Sequence, residues 1–313
     1  MNPHLSIMNN DFFVGEMCFN PSLIRVRKNK KDCVLIYRTT PTLADWYESS
    51  IRCVTLDLST NVPESRNIEL VSHGEDPRVM PLQNGILLSY TNVDRDYTSA
   101  KIEVALFRDG LTDQGLLNKN VFTFDVDGRP QEAKEKNWLL FTLMNQVTSS
   151  THIHIIYNLQ PFVLLKSDLN LDEILSSEDQ HRNEIDMNKQ LHSYRTKKIK
   201  EQKWRHPLSE TLKISGGTPP LYVNDKYFMF AHSKNYRVFA VIMNSELEIT
   251  RVSQKPVIPH RFNGDIMFPC GAIFEKKTRE FHISTGLNDQ FMGIIKVSLE
   301  YIEEVCIDVL NLE

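Results

Sequence analysis

"GEDPRVMPLQNGILLSY", residues 74–90, crowds three charges (Glu75, Asp76 and Arg78) around Pro77 and then runs apolar from Ile86 to Tyr90. The apolar run reads as a buried strand, and the charged cluster sits directly against its hairpin partner. Similar short runs rich in Val, Ile, Tyr and Phe recur along the chain: "KDCVLIYR" (31–38), "IEVALF" (102–107), "NWLLFTL" (137–143), "HIHIIYN" (152–158), "KYFMFAH" (226–232), "RVFAVIM" (237–243) and "GIIKVSL" (293–299). Gly, Asn, Asp and Lys fill the gaps between them. That spacing predicts an all-β protein: sandwich, barrel or propeller.

The plan of residues 74–90 repeats. A polar or Gly/Pro-bearing cluster, a strand, a tight polar turn and a second strand begin again near residues 19, 135, 215 and 268. Most intervals are about 50 to 60 residues, the period of four-stranded propeller blades with some decoration. The interval between the third and fourth units is longer because of a charged segment, roughly 168–203, acidic first (Asp168, Asp172, Glu173, Glu178, Asp179, Glu184, Asp186) and basic after ("YRTKKIKEQKW"). Its charge pattern predicts a solvated helical insertion between blades three and four, the alternative being a flap over the site. The whole chain, 1–313, is expected to form one domain.

Bulk properties agree with a globular protein: 41% hydrophobic and 24% charged residues. Thirty-six basic against 40 acidic residues give a net charge of -4, so no basic field exists for a nucleic-acid backbone. Cys18, Cys33, Cys53, Cys270 and Cys306 are scattered and never form C-x-x-C, which argues for reduced thiols in a cytoplasmic setting. The N-terminal stretch has no apolar core behind a basic start, and no apolar run approaches the roughly 20 residues of a membrane span.

P-loop, G-x-G-x-x-G, G-x-S-x-G and H-E-x-x-H motifs are absent from the sequence. His152 and His154 share a strand face, but a zinc site would need a third ligand, and an ordinary strand face is the simpler reading. No metal or other cofactor is therefore expected. What remains are the polar clusters that open each unit. In a propeller the innermost strand of every blade lines the axis, so Asn20, Ser22, Arg38, Glu75, Asp76, Arg78, Lys136, Asn137, residues 216–218, His232, Asn288 and Asp289 would converge on one pocket. Amides and carboxylates suit sugar hydroxyls; Arg, Lys and His suit phosphate.

The ordered set "NPSLI…YR" (20–38), "EDPRV" (75–79), "EKNW" (135–138), "IIYNLQPFVLL" (155–165), "GGTPPLYVNDKYFMFAHS" (216–233), "FPCGAIF" (268–274) and "STGLNDQ" (284–290) resembles family 130 of the glycoside hydrolases. That family comprises the mannoside phosphorylases and the related mannosyltransferases of protozoan parasites. The resemblance implies a five-bladed β-propeller and an inverting phosphorylase or β-mannosyltransferase. It implies that Asp76 is the general acid, acting through a hydroxyl of the mannosyl ring while phosphate attacks the opposite face. Asn20, Ser22, Lys136, Asn137 and Asp289 would bind the sugar, and Arg38, Arg78 and His232 the phosphate or sugar nucleotide. Glu75 would serve as a structural ion pair. Phe162 stands where relatives often carry a His, and Thr285 where an aromatic is common, which implies a lost polar group and a more open sugar subsite. A second reading is an inactive propeller that binds glycans or acts as a scaffold. The presence together of Asp76, Arg78, Lys136, Asn137 and Asp289 argues against it.

Overall fold

Short strands, apolar or alternating and nearly all paired antiparallel, make up most of residues 3–8, 17–25, 32–42, 48–63, 67–82, 85–94, 96, 99–108, 119–127, 136–144, 150–176, 191–258 and 266–312, which the computed structural model describes. After β1 (His4–Ile7), the first unit consists of β2 (Met17–Arg25), β3 (Asp32–Thr40) and β4 (Ser50–Asp57), with β5 (Val62–Pro63) and β6 (Ile68–Val71) both on the outer edge of β4. The second is β7 (Glu75–Leu82), β8 (Gly85–Val93), β9 (Ala100–Arg108) and β10 (Lys119–Val126). The third is β11 (Leu139–Met144), β12 (Thr151–Leu159) and β13 (Phe162–Asn170), then α1 (Leu171–Ser176) and β14 (His192–Gln202). After β15 (Trp204–Arg205), the fourth unit holds β16 (Ile214–Gly217), β17 (Leu221–Val223), β18 (Lys226–Ser233), β19 (Val238–Met243) and β20 (Ile249–Ser253). The fifth is β21 (Met267–Glu275), β22 (Glu280–Leu287) and β23 (Phe291–Ser298), followed by α2 (Leu299–Val305), β24 (Cys306–Asp308) and β25 (Leu310–Asn311).

The chain ends complete the outer edges. β1 pairs with β23, β24 with β20 and β25 with β15. β14 pairs antiparallel with β13 and parallel with β10, merging units two and three into one eight-stranded sheet. The apolar cores lie between neighbouring units. Ile24, Val34 and Ile36 pack with Leu88 and Phe107 across units one and two; a larger cluster joins units two, three and four. Phe228 and Phe230 meet Phe281 across units four and five, and Leu23 and Leu35 meet Ile273, Met292 and Ile294 across units five and one. The last unit thus shares a core with the first.

The segment 168–203 differs from its predicted helical form. Residues 168–170 finish β13, Leu171–Ser176 alone is helical among the segment's described residues, and His192–Gln202 is a strand bonded on both edges; residues 177–190 lie outside the described residues. The basic run lies on a largely solvent-exposed strand, with Lys200 held by Glu246 O and Glu248. Tyr194 and Thr196 turn inward, Thr196 Oγ1 donating to Asp125 O at 2.9 Å, while Arg195 and Lys197 face solvent. No helix among the described residues is long and apolar enough to cross a membrane.

Candidate active site

The strands that open four of the five units share one irregularity. Register shifts interrupt the pairing between Phe19 and Ser22, Glu75 and Arg78, Ser215 and Gly217, and Pro269 and Gly271, at the start of units one, two, four and five. A bulge of this kind leaves residues off the ladder and re-aims their side chains. Inside the first two lie Asn20 and Asp76, each followed by proline, with φ of 49° and 50°; Asn137, ahead of β11, has φ 64°. Asn and Asp tolerate this left-handed backbone better than other side chains except Gly.

These strand starts surround a cavity of about 530 Å³. Asn20, Arg38, Glu75, Asp76, Lys136 and Asp289 form its polar side, and Phe19, Tyr236, Ile266 and Phe268 the rest. Asn20 Nδ2 donates to Asp76 Oδ1 at 2.7 Å, and Arg38 Nη1 lies 3.8 Å from the same oxygen. Glu75, buried beside them, accepts from Arg38 Nη2 at 2.8 Å on one oxygen and from Lys136 Nζ at 3.3 Å on the other. Burial pushes the Glu75 carboxyl above the ordinary range, Arg38 and Lys136 acting the other way. Burial, then the neighbouring Asp76, likewise raises Asp289. Asp289 is carried by a turn in which Asn288 N donates to Ile266 O (2.9 Å) and Ile266 N to Asn288 Oδ1 (2.8 Å).

The remaining predicted residues stand one layer behind. Ser22 is fully buried; its Oγ accepts from Val79 N (3.0 Å) and donates to Cys270 O (3.3 Å), stitching units one, two and five. Arg78 is 3% exposed: Nε donates to Gly217 O (2.9 Å), Nη1 to Asp76 O (3.0 Å) and Nη2 to Asn137 Oδ1 (2.8 Å), with the guanidinium over the Phe268 ring. His232 Nδ1 donates to Gly216 O at 2.6 Å, and burial, helped by Arg78, lowers its pKa to about 4, so the ring is neutral at pH 7. Asn137 borders a smaller neighbouring cavity of about 110 Å³. Phe162 lies in the apolar core and Thr285 is buried, so neither faces the cavity.

Four lining residues escaped sequence reasoning: Phe19, Tyr236, Ile266 and Phe268. Phe19 and Phe268 do open predicted units, so their position was a usable signal. Tyr236 gave none; it sits in a tight turn with φ 54°, its ring stacked parallel to His232 at 5.8 Å.

A family model described as beta-1,4-mannooligosaccharide phosphorylase matches residues 3–308. Among solved structures, the fold is similar to that of the β-1,2-mannobiose phosphorylase from Listeria innocua in complex with β-1,2-mannobiose (TM-score 0.61, 13% identity, 97% of this chain and 99% of that chain covered). It is also similar to two Leishmania mexicana proteins. MPT-1, a GDP-Man-dependent mannosyltransferase, has TM-score 0.55 and 11% identity over 99% of this chain and 94% of its own. MPT-4, a mannose phosphorylase in complex with phosphate ion, has TM-score 0.53 and 13% identity over 96% and 89%. No curated protein matches the chain. An all-β chain matched by the family model over nearly its whole length belongs to the β-1,4-mannooligosaccharide phosphorylase family, family 130 of the glycoside hydrolases.

Proposed function

We propose that the protein transfers a mannosyl residue between a β-mannoside and an anionic partner, inorganic phosphate or a sugar nucleotide, with inversion and with Asp76 as general acid. The observation that carries this reading is Asp76 itself: a carboxylate aimed into a cavity by a left-handed backbone, held by Asn20 and flanked by Arg38. In the phosphorolytic direction, a phosphate oxygen attacks the anomeric carbon as the C1–O bond breaks. The bond's electrons go to the leaving oxygen, which takes a proton relayed from Asp76 through a ring hydroxyl. Asp76 regains a proton from solvent as product leaves. Positioning and charge, rather than a second carboxylate base, supply the rest.

In this reading the chain is a single five-bladed propeller, each antiparallel unit a blade, and the shared core between units five and one supports that closure. Asn20, Lys136 and Asp289 touch the sugar, and Arg38 and Lys136 the anion. Ser22, Arg78, Asn137 and His232 act from behind by fixing the strand starts. The protein works in the cytoplasm, where sugar phosphates and sugar nucleotides are available.

The test offers the purified protein mannose 1-phosphate and, separately, GDP-mannose with varied acceptors. Asp76→Asn should lose transfer from the productive donor by at least about 10³-fold, on the order of 4 kcal/mol of barrier. Turnover of neither donor, in a folded sample, would reject the reading and favour a glycan-binding module.

A further inference from the structure

Two cations reach the same cavity wall from different units. Arg38 comes from β3, and Lys136 from the residues ahead of β11. Between them stands one carboxylate, Glu75, whose two oxygens are divided: Oε1 to Arg38 at 2.8 Å, Oε2 to Lys136 at 3.3 Å. The Glu75 side chain is 6% exposed and that of Lys136 31%, so a ligand reaches the ammonium far more readily than the carboxylate behind it. With Asp76 and Asp289, three carboxylates and two cations line the cavity. An entering dianion adds negative charge to that wall and competes with Glu75 for the same two partners.

We propose that Glu75 is a positioning residue that braces Arg38 and Lys136 into one clamp for the phosphoryl oxygens of the co-substrate, and that it takes up a proton when that anion binds. The inference rests on the anionic co-substrate of the proposed function. Around Glu75 the charged groups are Arg38 on β3, Asp76 and Arg78 on β7 itself, Lys136 ahead of β11 and Asp289 after β22, with the neutral His232 ring on β18 nearby. Burial already favours the protonated carboxyl, and the two cations oppose it. An anion that draws on those cations weakens the opposition, so Glu75 titrates higher in the complex than in the unliganded protein. Anion affinity is then fullest below the unliganded value and falls as pH rises toward that of the complex.

Inorganic sulfate, which stays a dianion through the neutral range where phosphate does not, is the probe for calorimetric titration in buffers of different ionisation heat. We expect uptake approaching one proton per sulfate in the wild type and in Asp289→Asn, and almost none in Glu75→Gln. In steady-state kinetics Glu75→Gln, the neutral isostere of the protonated carboxyl, should hold the KM of the anionic co-substrate near its low-pH wild-type value across the neutral range, with kcat at saturation falling less than about threefold and the mannoside KM unmoved; Glu75→Asp should keep the pH dependence. No sulfate binding, no proton uptake by the wild type, or uptake in Glu75→Gln equal to the wild type would overturn the proposal. So would a parallel shift of kcat and both KM values. Where Glu75→Gln fails to fold, absence of uptake by the wild type still overturns the proposal, and Glu75→Asp, with a shifted uptake profile, takes its place as the test. Glu75-dependent uptake without turnover of any donor would leave the clamp standing and remove the proposed function; turnover without uptake would do the reverse.

Discussion

Units one to three and units four and five meet the same cavity with different materials. The first three open with Asn20, Asp76 and Asn137, short polar residues in left-handed backbone. The last two open with Gly216–Gly217 and Pro269–Cys270–Gly271, and what those openings deliver is main chain and an aromatic ring: Gly217 O to Arg78, Gly216 O to His232, and Phe268 beneath the guanidinium, while Asp289 reaches the cavity from the turn after β22. The same bulge therefore presents polar side chains to the cavity from units one and two, on the first arc, and main chain and an aromatic ring from units four and five, on the second. Backbone geometry is the common element, and side-chain choice decides what each arc does.

Arg78 joins the two arcs, and its removal should have the largest effect. Arg78→Ala leaves Gly217 O, Asn137 Oδ1 and Asp76 O without their charged donor, at a cost of about 3–5 kcal/mol in urea unfolding. Arg78→Lys should cost roughly half of that, because an ammonium cannot reproduce the planar fork. A loss below about 1 kcal/mol for Arg78→Ala would mean that the arcs are held apart from each other by their cores alone.

Acid should act next most strongly, and on both arcs alike. His232 behind the cavity, and His154 and His282 away from it, are each held neutral by burial, their pKa lowered from 6.5 to about 4. The unfolded chain takes up protons below 6.5 while the folded chain does not until about 4, so stability falls as pH drops through that window. Each histidine contributes on the order of 3 kcal/mol at most. His232→Asn, on the second arc, and His154→Asn, on the first, should flatten the acid limb of the unfolding curve to similar extents. Flattening by only one of them would show that location, not burial, controls the titration.

Much of this was legible in the sequence because it is local. Apolar runs and turn residues announced the five strand starts, and units beginning near 19, 74, 135, 215 and 268 correspond to β2, β7, β11, β16 and β21. The cavity-facing positions of Asn20, Asp76 and Lys136 follow from those starts, and Arg38 and Asp289 join them from the far ends of β3 and β22. What was not legible depends on partners distant in sequence. Asn20 and Ser22 are two residues apart, yet one faces the cavity and the other braces three units, because the register shift falls between Phe19 and Ser22. Arg38 and Arg78 look equivalent as cations, but the second is consumed by acceptors from other units. β14 was read as helix because its charges were visible and its pairing with β10 was not.

A smaller effect tests whether the wall supports the chemistry. A Cβ on Gly286, in β22 of unit five, would collide with Asn20 Oδ1 and lie 2.8 Å from Asn20 N. Gly286→Ala should displace the Asn20 amide from Asp76. We expect a stability loss of about 1–2 kcal/mol from overpacking and roughly tenfold lower kcat/KM. Unchanged activity with the stability loss would uncouple the wall from the acid.

The smallest change in stability is expected at Asn20 itself, and it sharpens the comparison most. Glycine accepts a φ of 49° without strain, so Asn20→Gly leaves the bulge intact. Asn20 Oδ1 is buried without a hydrogen-bond partner among the described residues, a cost of about 1–3 kcal/mol that the substitution relieves. The same substitution forfeits the Nδ2 bond to the Asp76 carboxylate, worth about 1.5–3 kcal/mol, so the two terms nearly cancel. Unfolding should move by less than about 1 kcal/mol, while kcat/KM falls about ten- to a hundredfold as Asp76 loses its orienting donor. Asn137→Gly removes a bond to Arg78 with no such relief, so it should cost stability first, about 2 kcal/mol, with activity following. Equal stability losses in the two glycine variants would erase the distinction within the polar arc and make Asn20 a brace like Asn137.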